Sequence, residues 1–481
     1  MRKTSQKQLI ITSVLWSFAE KLSAQLVAFV VSVVLARILM PDDYGLISMI
    51  MVFVVLAEVF VNSGFSAALI QNKKADETDF STIFYMSLAC SILVYMTVFF
   101  LSYPIANFYG REELVLLLQV FAVKIIIGSF NSIQRAYVAR NMLFRKMFYS
   151  TLIGTTLSGL LGIAMAVSGF GAWSIVVQNI SMTIVDIIVL LIVVPWKPKL
   201  LFSFERGKKM MGFGWKVLFA DFSGTFFSQL RSLVIGKTYS SADLAFYDRG
   251  NQIPQLVANN IGNAVSAVLF PVMSNESDDL QSVKSFCSRS MKTMSYVISP
   301  LMFGIAACAP VLIVLLYTDK WSACIPYVQV LAVGYAFGTI GVVPIQALKA
   351  IGESGVILKL EFIKKPVFLV LLFIGTSQSV WAIALSMLFY ELFGFVVNAM
   401  QLKKYLKYSL LEQLCDVLPH IILSMLMFLI VSLIYIENNL FLTLIVQLFL
   451  GVLIYIGGSL LFKFDTLQFI LKVAKQKGDK C

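Results

Sequence analysis

The feature that most constrains this chain is a succession of apolar segments, each about as long as a bilayer is thick. A helix needs about 20 apolar residues to cross the hydrocarbon core of a membrane, and short breaks separate the runs here. We therefore predict about fourteen membrane-spanning helices. The apolar runs lie at residues 12–38, 44–70, 80–103, 114–134, 147–168, 172–194, 213–237, 244–273, 291–317, 322–348, 357–375, 380–401, 415–436 and 441–462.

Composition supports a membrane protein and argues against a soluble nucleic-acid binder. Hydrophobic residues make up 59% of the 481 and charged residues only 13%, whereas soluble domains carry about 25% charged residues. The net charge of +12 would suit nucleic acid, but the lysines and arginines fall in short segments between apolar runs. This distribution is the one that the positive-inside rule describes, so we expect no nucleic-acid partner.

The sequence offers no motif for covalent chemistry or for a metal site. The six cysteines show no C-x-x-C spacing, and His420 is the single histidine, so neither a zinc site nor a Cys-His pair has local support. No G-x-x-x-x-G-K-[ST] occurs either. We expect a chain with no catalytic residues, no metal and no cofactor.

Basic residues also predict the orientation of the chain in the membrane. With both termini on the cytoplasmic side, most lysines and arginines fall in the inner segments. The outer turns then hold only Arg37, Arg111, Lys237 and Lys320. Such a bias is typical of a correctly assigned multi-pass topology.

A shift of 201 residues suggests an internal repeat, because it places Glu20 on Asp221 and Asp42 on Asp243. We predict an all-α fold with two six-helix lobes, residues 1–200 and 201–405, related by a parallel repeat around a central cavity. Residues 406–481 would add two helices and a cytoplasmic tail. Parallel repeats are common in transporters, with the substrate path between the halves.

Ionisable residues inside apolar helices are costly and therefore point to function. Polar stripes run along helix 1 and helix 7, through Ser13, Ser17, Lys21, Gln25 and Ser32 and through Asp221, Gly224, Ser228 and Arg231. A polar stripe should face protein or water rather than lipid, which predicts a hydrated cavity. The alternative is that the charges pair with one another and only hold the bundle together.

Cations in such a cavity would suit a phosphate or a pyrophosphate through charge-assisted hydrogen bonds. Carboxylates there could carry a coupling proton or sodium ion. The candidate anion-binding residues are Lys21, Lys124, Arg231 and Arg249. The candidate ion-coupling residues are Glu20, Glu58, Asp221 and Asp248. Asp186 is interpreted as structural.

Three stretches of the chain match turn, loop and helix patterns of one family of membrane proteins. Residues 35–45 (LARILMPDDYG) resemble the A-R-x-L-x-P-x-D-Y-G turn after helix 1, and residues 140–146 (RNMLFRK) resemble the R-x-M-x-F-R loop after helix 4. Residues 246–250 (FYDRG) with 269–274 (LFPVMS) resemble the Y-x-R-A … L-F-P-x-x-S pattern of helix 8, although Gly250 stands where the family often has alanine. Together these stretches resemble the Wzx-type family of bacterial polysaccharide transporters, and the likeness covers about residues 10–400.

This resemblance implies a superfamily that also holds multidrug antiporters and lipid II flippases. It implies two six-helix lobes around a central cavity in a bacterial inner membrane. The implied substrate is an undecaprenyl-pyrophosphate-linked oligosaccharide, flipped from the cytoplasmic to the periplasmic leaflet with an ion gradient, and the implied partners include a polysaccharide polymerase and chain-length machinery. The alternatives are a cation-coupled multidrug exporter, a non-transporting scaffold of a polysaccharide-assembly complex, and an integral-membrane glycosyltransferase or ligase.

Overall fold

A computed structural model describes residues 2–71 and 75–469, and within these ranges the regular structure is helical, without a β-strand. The α-helices are α1 (Arg2–Ile38), α2 (Pro41–Asn62), α3 (Gly64–Gln71), α4 (Glu77–Tyr109), α5 (Leu114–Arg140), α6 (Phe144–Val167), α7 (Trp173–Val193), α8 (Phe204–Thr238), α9 (Ser241–Asn275), α10 (Leu280–Tyr317), α11 (Ile325–Ile340), α12 (Val342–Ala350), α13 (Ser354–Thr376), α14 (Val380–Leu406), α15 (Leu410–Ser432) and α16 (Leu440–Leu461). A 3-10 helix, Asp319–Cys324, leads into α11.

The multi-pass, all-α fold predicted from the sequence is confirmed. Helices α2 and α3 form one span with a break at Ser63, and the 3-10 helix, α11 and α12 form another. Twelve spans in the described ranges are long and apolar enough to cross a bilayer. Helices α8 and α13 are outside this set, and both carry several charged residues. The total of fourteen spans stays a prediction.

Local signals explain where several helices begin and end. The Asp76 carboxylate accepts a hydrogen bond from the backbone N–H of Asp79 at 2.9 Å, and the Asp79 carboxylate accepts one from the N–H of Asp76 at 3.2 Å. This reciprocal pair satisfies donors that the first turn of a helix leaves unpaired. At the other end of α4, Gly110 adopts a φ of 72°, a left-handed conformation that glycine adopts without steric cost.

The chain divides into two compact units, Met1–Ala245 and Phe246–Cys481. The first contains α1 to α8 and the first turn of α9, and the second contains the rest of α9 and the helices that follow. The lobe boundaries predicted at residues 200 and 405, the repeat and the central cavity stay predictions.

Close backbone approaches hold the first unit together. A Cβ atom at Gly159 of α6 would lie 2.4 Å from Val31 of α1, and one at Gly162 would lie 2.9 Å from the Cβ atom of Gln178 of α7. At Gly45, near the start of α2, a Cβ atom would lie 1.9 Å from the backbone oxygen of Ser241. The last contact gives a physical reason for glycine at the end of the P-D-D-Y-G turn. Helix α8 packs against α2, α3 and α4.

The second unit is organised around α10, which packs against α11, α15 and α16. Its buried core includes Met291 and Met302 of α10 and Val417 of α15. The Tyr455 hydroxyl of α16 donates to the backbone oxygen of Tyr296 at 2.9 Å. Burying this hydroxyl with a partner avoids the cost of an unsatisfied polar group inside the bundle.

Candidate functional site

A cavity of about 490 Å³ lies within the first unit, between α2, α3, α5, α6 and α7. Its volume falls in the range of about 300–1,000 Å³ typical of small-molecule sites. Helix α5 contributes one face to it, through Lys124, Gly128, Asn131 and Arg135. These residues recur at spacings of four, three and four, which places them on one side of a helix. The wall of the cavity therefore carries two cations, about 16 Å apart along α5.

The first cation, Lys124, is paired with a carboxylate on α2, which also lines the cavity. Its Nζ atom lies 3.1 Å from Oε1 of Glu58 on α2, and the two side chains are 20% and 25% exposed. The same ammonium lies 5.8 Å from the ring centre of Phe121. The structure thus brings together two of the residues that the sequence singled out, one from each candidate set.

The second cation, Arg135, pairs with Asp186 of α7. Its Nη2 atom lies 2.7 Å from Oδ2 of Asp186, whose side chain is 4% exposed, whereas the Arg135 side chain is 32% exposed. Asn131 donates to the same carboxylate oxygen at 2.6 Å, and the Ser150 hydroxyl donates to the other oxygen. The buried carboxylate is therefore fully supplied with donors, while the arginine still reaches the cavity wall.

A chain of polar contacts links this pair to Glu20 of α1. Arg135 donates to the Thr151 hydroxyl at 3.3 Å, and that hydroxyl donates to Oε1 of Glu20 at 3.0 Å. Glu20 is 5% exposed. Polar networks inside a low-dielectric interior rigidify the elements that they join, so this one ties α1, α5, α6 and α7 around the cavity.

The remaining predicted site residues do not line this cavity. Lys21 and Asp221 are exposed, and Arg231 and Asp248 are half-buried. The roles assigned to the eight residues from the sequence stay predictions.

Arg249 lies in the second unit and is only 7% exposed. Its guanidinium carbon lies 5.5 Å from the ring centres of both Tyr317 and Trp321. Its Nη1 atom donates to Oε1 of Gln252 at 2.7 Å. The cation thus packs against two aromatic rings, whose faces attract guanidinium groups electrostatically.

Sequence reasoning missed Arg135 and Asn131 as site residues. The apolar run of the fourth predicted helix ended at residue 134, so Arg135 counted as a cytoplasmic-loop cation, whereas α5 continues to Arg140. The regular spacing of Lys124, Gly128, Asn131 and Arg135 was the available signal. It becomes visible only when the predicted helix is extended past the end of the apolar run at residue 134.

Comparison with known proteins places the chain in a family. A family model described as polysaccharide biosynthesis protein matches residues 34–326, which is more than half of the chain. The chain belongs to this family.

Two curated relatives are named for the biosynthesis of succinoglycan and of teichuronic acid. The succinoglycan biosynthesis transport protein ExoT of Rhizobium meliloti is 23% identical over 357 residues, or 74% of this chain and 72% of that protein. The teichuronic acid biosynthesis protein TuaB of Bacillus subtilis is 24% identical over 281 residues, or 58% of each chain. This chain thus spans just over half the length of TuaB.

A solved structure of the lipid II flippase MurJ in an inward closed conformation has the same fold. The TM-score is 0.75, the sequence identity is 18%, and the match covers 94% of this chain and 100% of that one. The chain is therefore a multi-pass membrane protein of this family with the fold of MurJ.

Proposed function

We propose that this chain flips an undecaprenyl-pyrophosphate-linked oligosaccharide from the cytoplasmic to the outer leaflet of a bacterial inner membrane, with both of its termini in the cytoplasm. The observation that carries the proposal is the cavity with Lys124 and Arg135 on one helix face, inside an apolar helical unit. A cation inside a membrane span costs free energy unless it binds an anion. The names of ExoT, TuaB and MurJ, which point to glycan transport, glycan biosynthesis and lipid flipping, support this reading.

The pyrophosphate is the part of the substrate that these cations suit. Arg135 is a third exposed and its guanidinium offers a planar fork of donors that matches phosphate oxygens. Lys124 adds a compact point charge. Asn131, between them on the same face, can hydrogen-bond a phosphate or a sugar hydroxyl. Lys21, Arg231 and Arg249 stay as further candidates from the sequence.

Ion coupling is part of the proposal and centres on Glu58. When the substrate anion takes the place of Glu58 at Lys124, the carboxylate loses its neutralising partner in a low-dielectric setting. Glu58 is then the side chain that we assign to the coupling proton or sodium ion. Substrate binding and ion uptake are thereby linked in one ion pair. Glu20, Asp221 and Asp248 stay as the other candidates, and a polysaccharide polymerase stays an expected partner.

The test is flipping in proteoliposomes. Purified protein is reconstituted with a short polyprenyl-pyrophosphate oligosaccharide, and a membrane-impermeant glycosidase reports the fraction exposed outside. We expect exposure of more than half of the lipid on imposing a proton or sodium gradient. No movement of the glycan, alongside gradient-driven extrusion of a cationic dye, would contradict the proposed function.

The site is tested separately with the double variant Lys124→Gln/Arg135→Gln. Hydrogen bonds to charged groups contribute about 1.5–3 kcal/mol each, so we expect the flipping rate to fall at least about tenfold. Lys208→Gln, which removes an exposed lysine outside the cavity, is the matched control and should flip at the wild-type rate. Wild-type flipping by the double variant would leave the function standing and remove this site from it.

A further inference from the structure

The second unit contains a wedge-shaped cleft between α10, α15 and α16, called the wedge below. It consists of a polar pocket at one end and an apolar groove along the helices. The polar end is a pocket of about 380 Å³ beside the first turns of α10, lined by residues of α10 and of the segment after α16. The lining residues that matter here are Ser288, Arg289, Lys292 and Thr293 of α10 with Asp465 and Thr466. In the predicted topology this end of α10 lies at the inner surface of the membrane.

Charges of both signs line or back this polar pocket. The Nζ atom of Lys292 lies 3.2 Å from Oδ1 of Asp416, and the Arg289 guanidinium lies over the Phe469 ring at 5.2 Å. Asp465 is exposed on the rim. Among the described residues, two cations thus face one carboxylate on the rim, Asp465, and one behind the lining, Asp416. This balance of charge suits a group that carries both signs.

An apolar groove of about 590 Å³ lies along the same wedge. Its inner end adjoins the polar pocket on both walls: Tyr296 lines the groove one helical turn after Lys292, and Leu467 lines it directly after Thr466. Gly304 is among the residues that leave the groove open. A polar pocket at the membrane surface that is followed by an apolar groove has the shape and polarity of a lipid.

We propose that this wedge is a binding site for a zwitterionic bilayer phospholipid. Arg289 and Lys292 bind the phosphate, Asp465 binds the ammonium group, and one acyl chain fills the groove between α10 and α16. The presence of Asp465 selects against a lipid with a net negative charge, because its carboxylate repels a second anion and pairs with an ammonium group. The bound lipid stabilises the second unit, since a ligand that binds only the folded state raises the free energy of unfolding.

The test uses lipid-depleted, full-length protein in detergent with equal amounts of phosphatidylethanolamine and phosphatidylglycerol of matched acyl chains. Native mass spectrometry counts the adducts. We expect phosphatidylethanolamine to be bound at least fivefold more often. Arg289→Gln should lower its binding about tenfold, and Asp465→Asn should remove the preference between the two lipids. Lys404→Gln, an exposed cation at the end of α14, is the control and should change neither.

The groove is tested with Gly304→Leu. The nearest atom to a Cβ at this position is Cε of Met427 at 3.9 Å, so the new side chain fits without a backbone clash and occupies the groove. We expect phosphatidylethanolamine binding to fall at least fivefold, with the thermal midpoint of the lipid-free protein unchanged.

Three outcomes would overturn the proposal. Equal binding of phosphatidylglycerol by the wild type would remove the headgroup assignment. Unchanged adducts in both Arg289→Gln and Gly304→Leu would place the lipid elsewhere on the protein. Displacement of phosphatidylethanolamine by an equal concentration of a polyprenyl phosphate would assign the groove to a polyprenyl chain instead. None of these readouts depends on flipping.

Discussion

Arg135 in the first unit and Arg249 in the second are both arginines within apolar helices, but they differ in their exposure and in the groups that they contact. Arg135 pairs with the carboxylate of Asp186 and is still 32% exposed to a cavity. Arg249 is 7% exposed and lies against the rings of Tyr317 and Trp321. A cation that shares a carboxylate at a cavity wall can add an anionic ligand without unpacking its surroundings. The ring contacts and low exposure of Arg249 instead predict a larger role in packing.

A third arginine provides a reference at the protein surface. Arg206 lies 2.8 Å from Asp76, and both side chains are about half exposed. The distance from Arg135 to Asp186 is nearly the same, 2.7 Å. Surface ion pairs contribute little because water screens them, whereas breaking a buried pair leaves an uncompensated charge. Burial rather than distance should therefore order the effects of substitution.

The largest effect is expected for Asp186→Ala. It leaves Arg135, Asn131 and Ser150 without their shared acceptor, and removal of one partner of a buried pair costs about 3 kcal/mol or more of unfolding free energy. Denaturant unfolding in detergent measures the change. Asp221→Ala removes an exposed carboxylate of α8 and should stay within about 0.5 kcal/mol of the wild type. If the two substitutions lowered the unfolding free energy equally, burial of the carboxylate would not determine the size of the effect.

The next largest effects distinguish Arg249 of the second unit from Lys124 of the first, because one should change stability and the other flipping. Arg249→Gln removes two desolvated ring contacts and should cost about 2 kcal/mol of unfolding free energy, while flipping per folded molecule stays within twofold. Lys124→Gln, at the cavity, should have the reverse pattern, with a tenfold loss of flipping and a small change in stability. The pair of readouts is proteoliposome flipping and denaturant unfolding on the same preparations. A loss of flipping in Arg249→Gln at full stability would return Arg249 to the substrate path that the sequence predicted.

The sequence predicted the multi-pass helical fold, but it could not predict which side chains of the candidate site contact one another. Apolar length and the position of basic residues are local properties, so the helices could be placed from the chain alone. Lys124 and Glu58 were singled out because charges inside apolar runs are conspicuous. Their pairing could not be predicted, since it depends on how α2 packs against α5. The ring contacts of Arg249 and the buried position of Asp186 likewise come from residues distant in sequence.

The smallest effect is expected at the surface reference pair and depends on pH. The hydrogen bond from Arg206, with that from the Asp79 backbone, lowers the pKa of Asp76 below its usual 3.8. A lowered pKa means that the carboxylate stabilises the fold above about pH 4 and loses this contribution as the pH falls through the lowered value. Asp76→Ala should therefore cost about 1 kcal/mol at pH 7, as for the loss of a helix cap, and less at pH 3. Asp76→Asn keeps an acceptor for the cap without the charge, so the stability difference between Asp76→Asn and Asp76→Ala should not vary with pH. Unfolding midpoints at pH 7 and pH 3 measure both stability differences. If the difference between the wild type and Asp76→Ala were the same at the two pH values, the ion pair with Arg206 would contribute nothing.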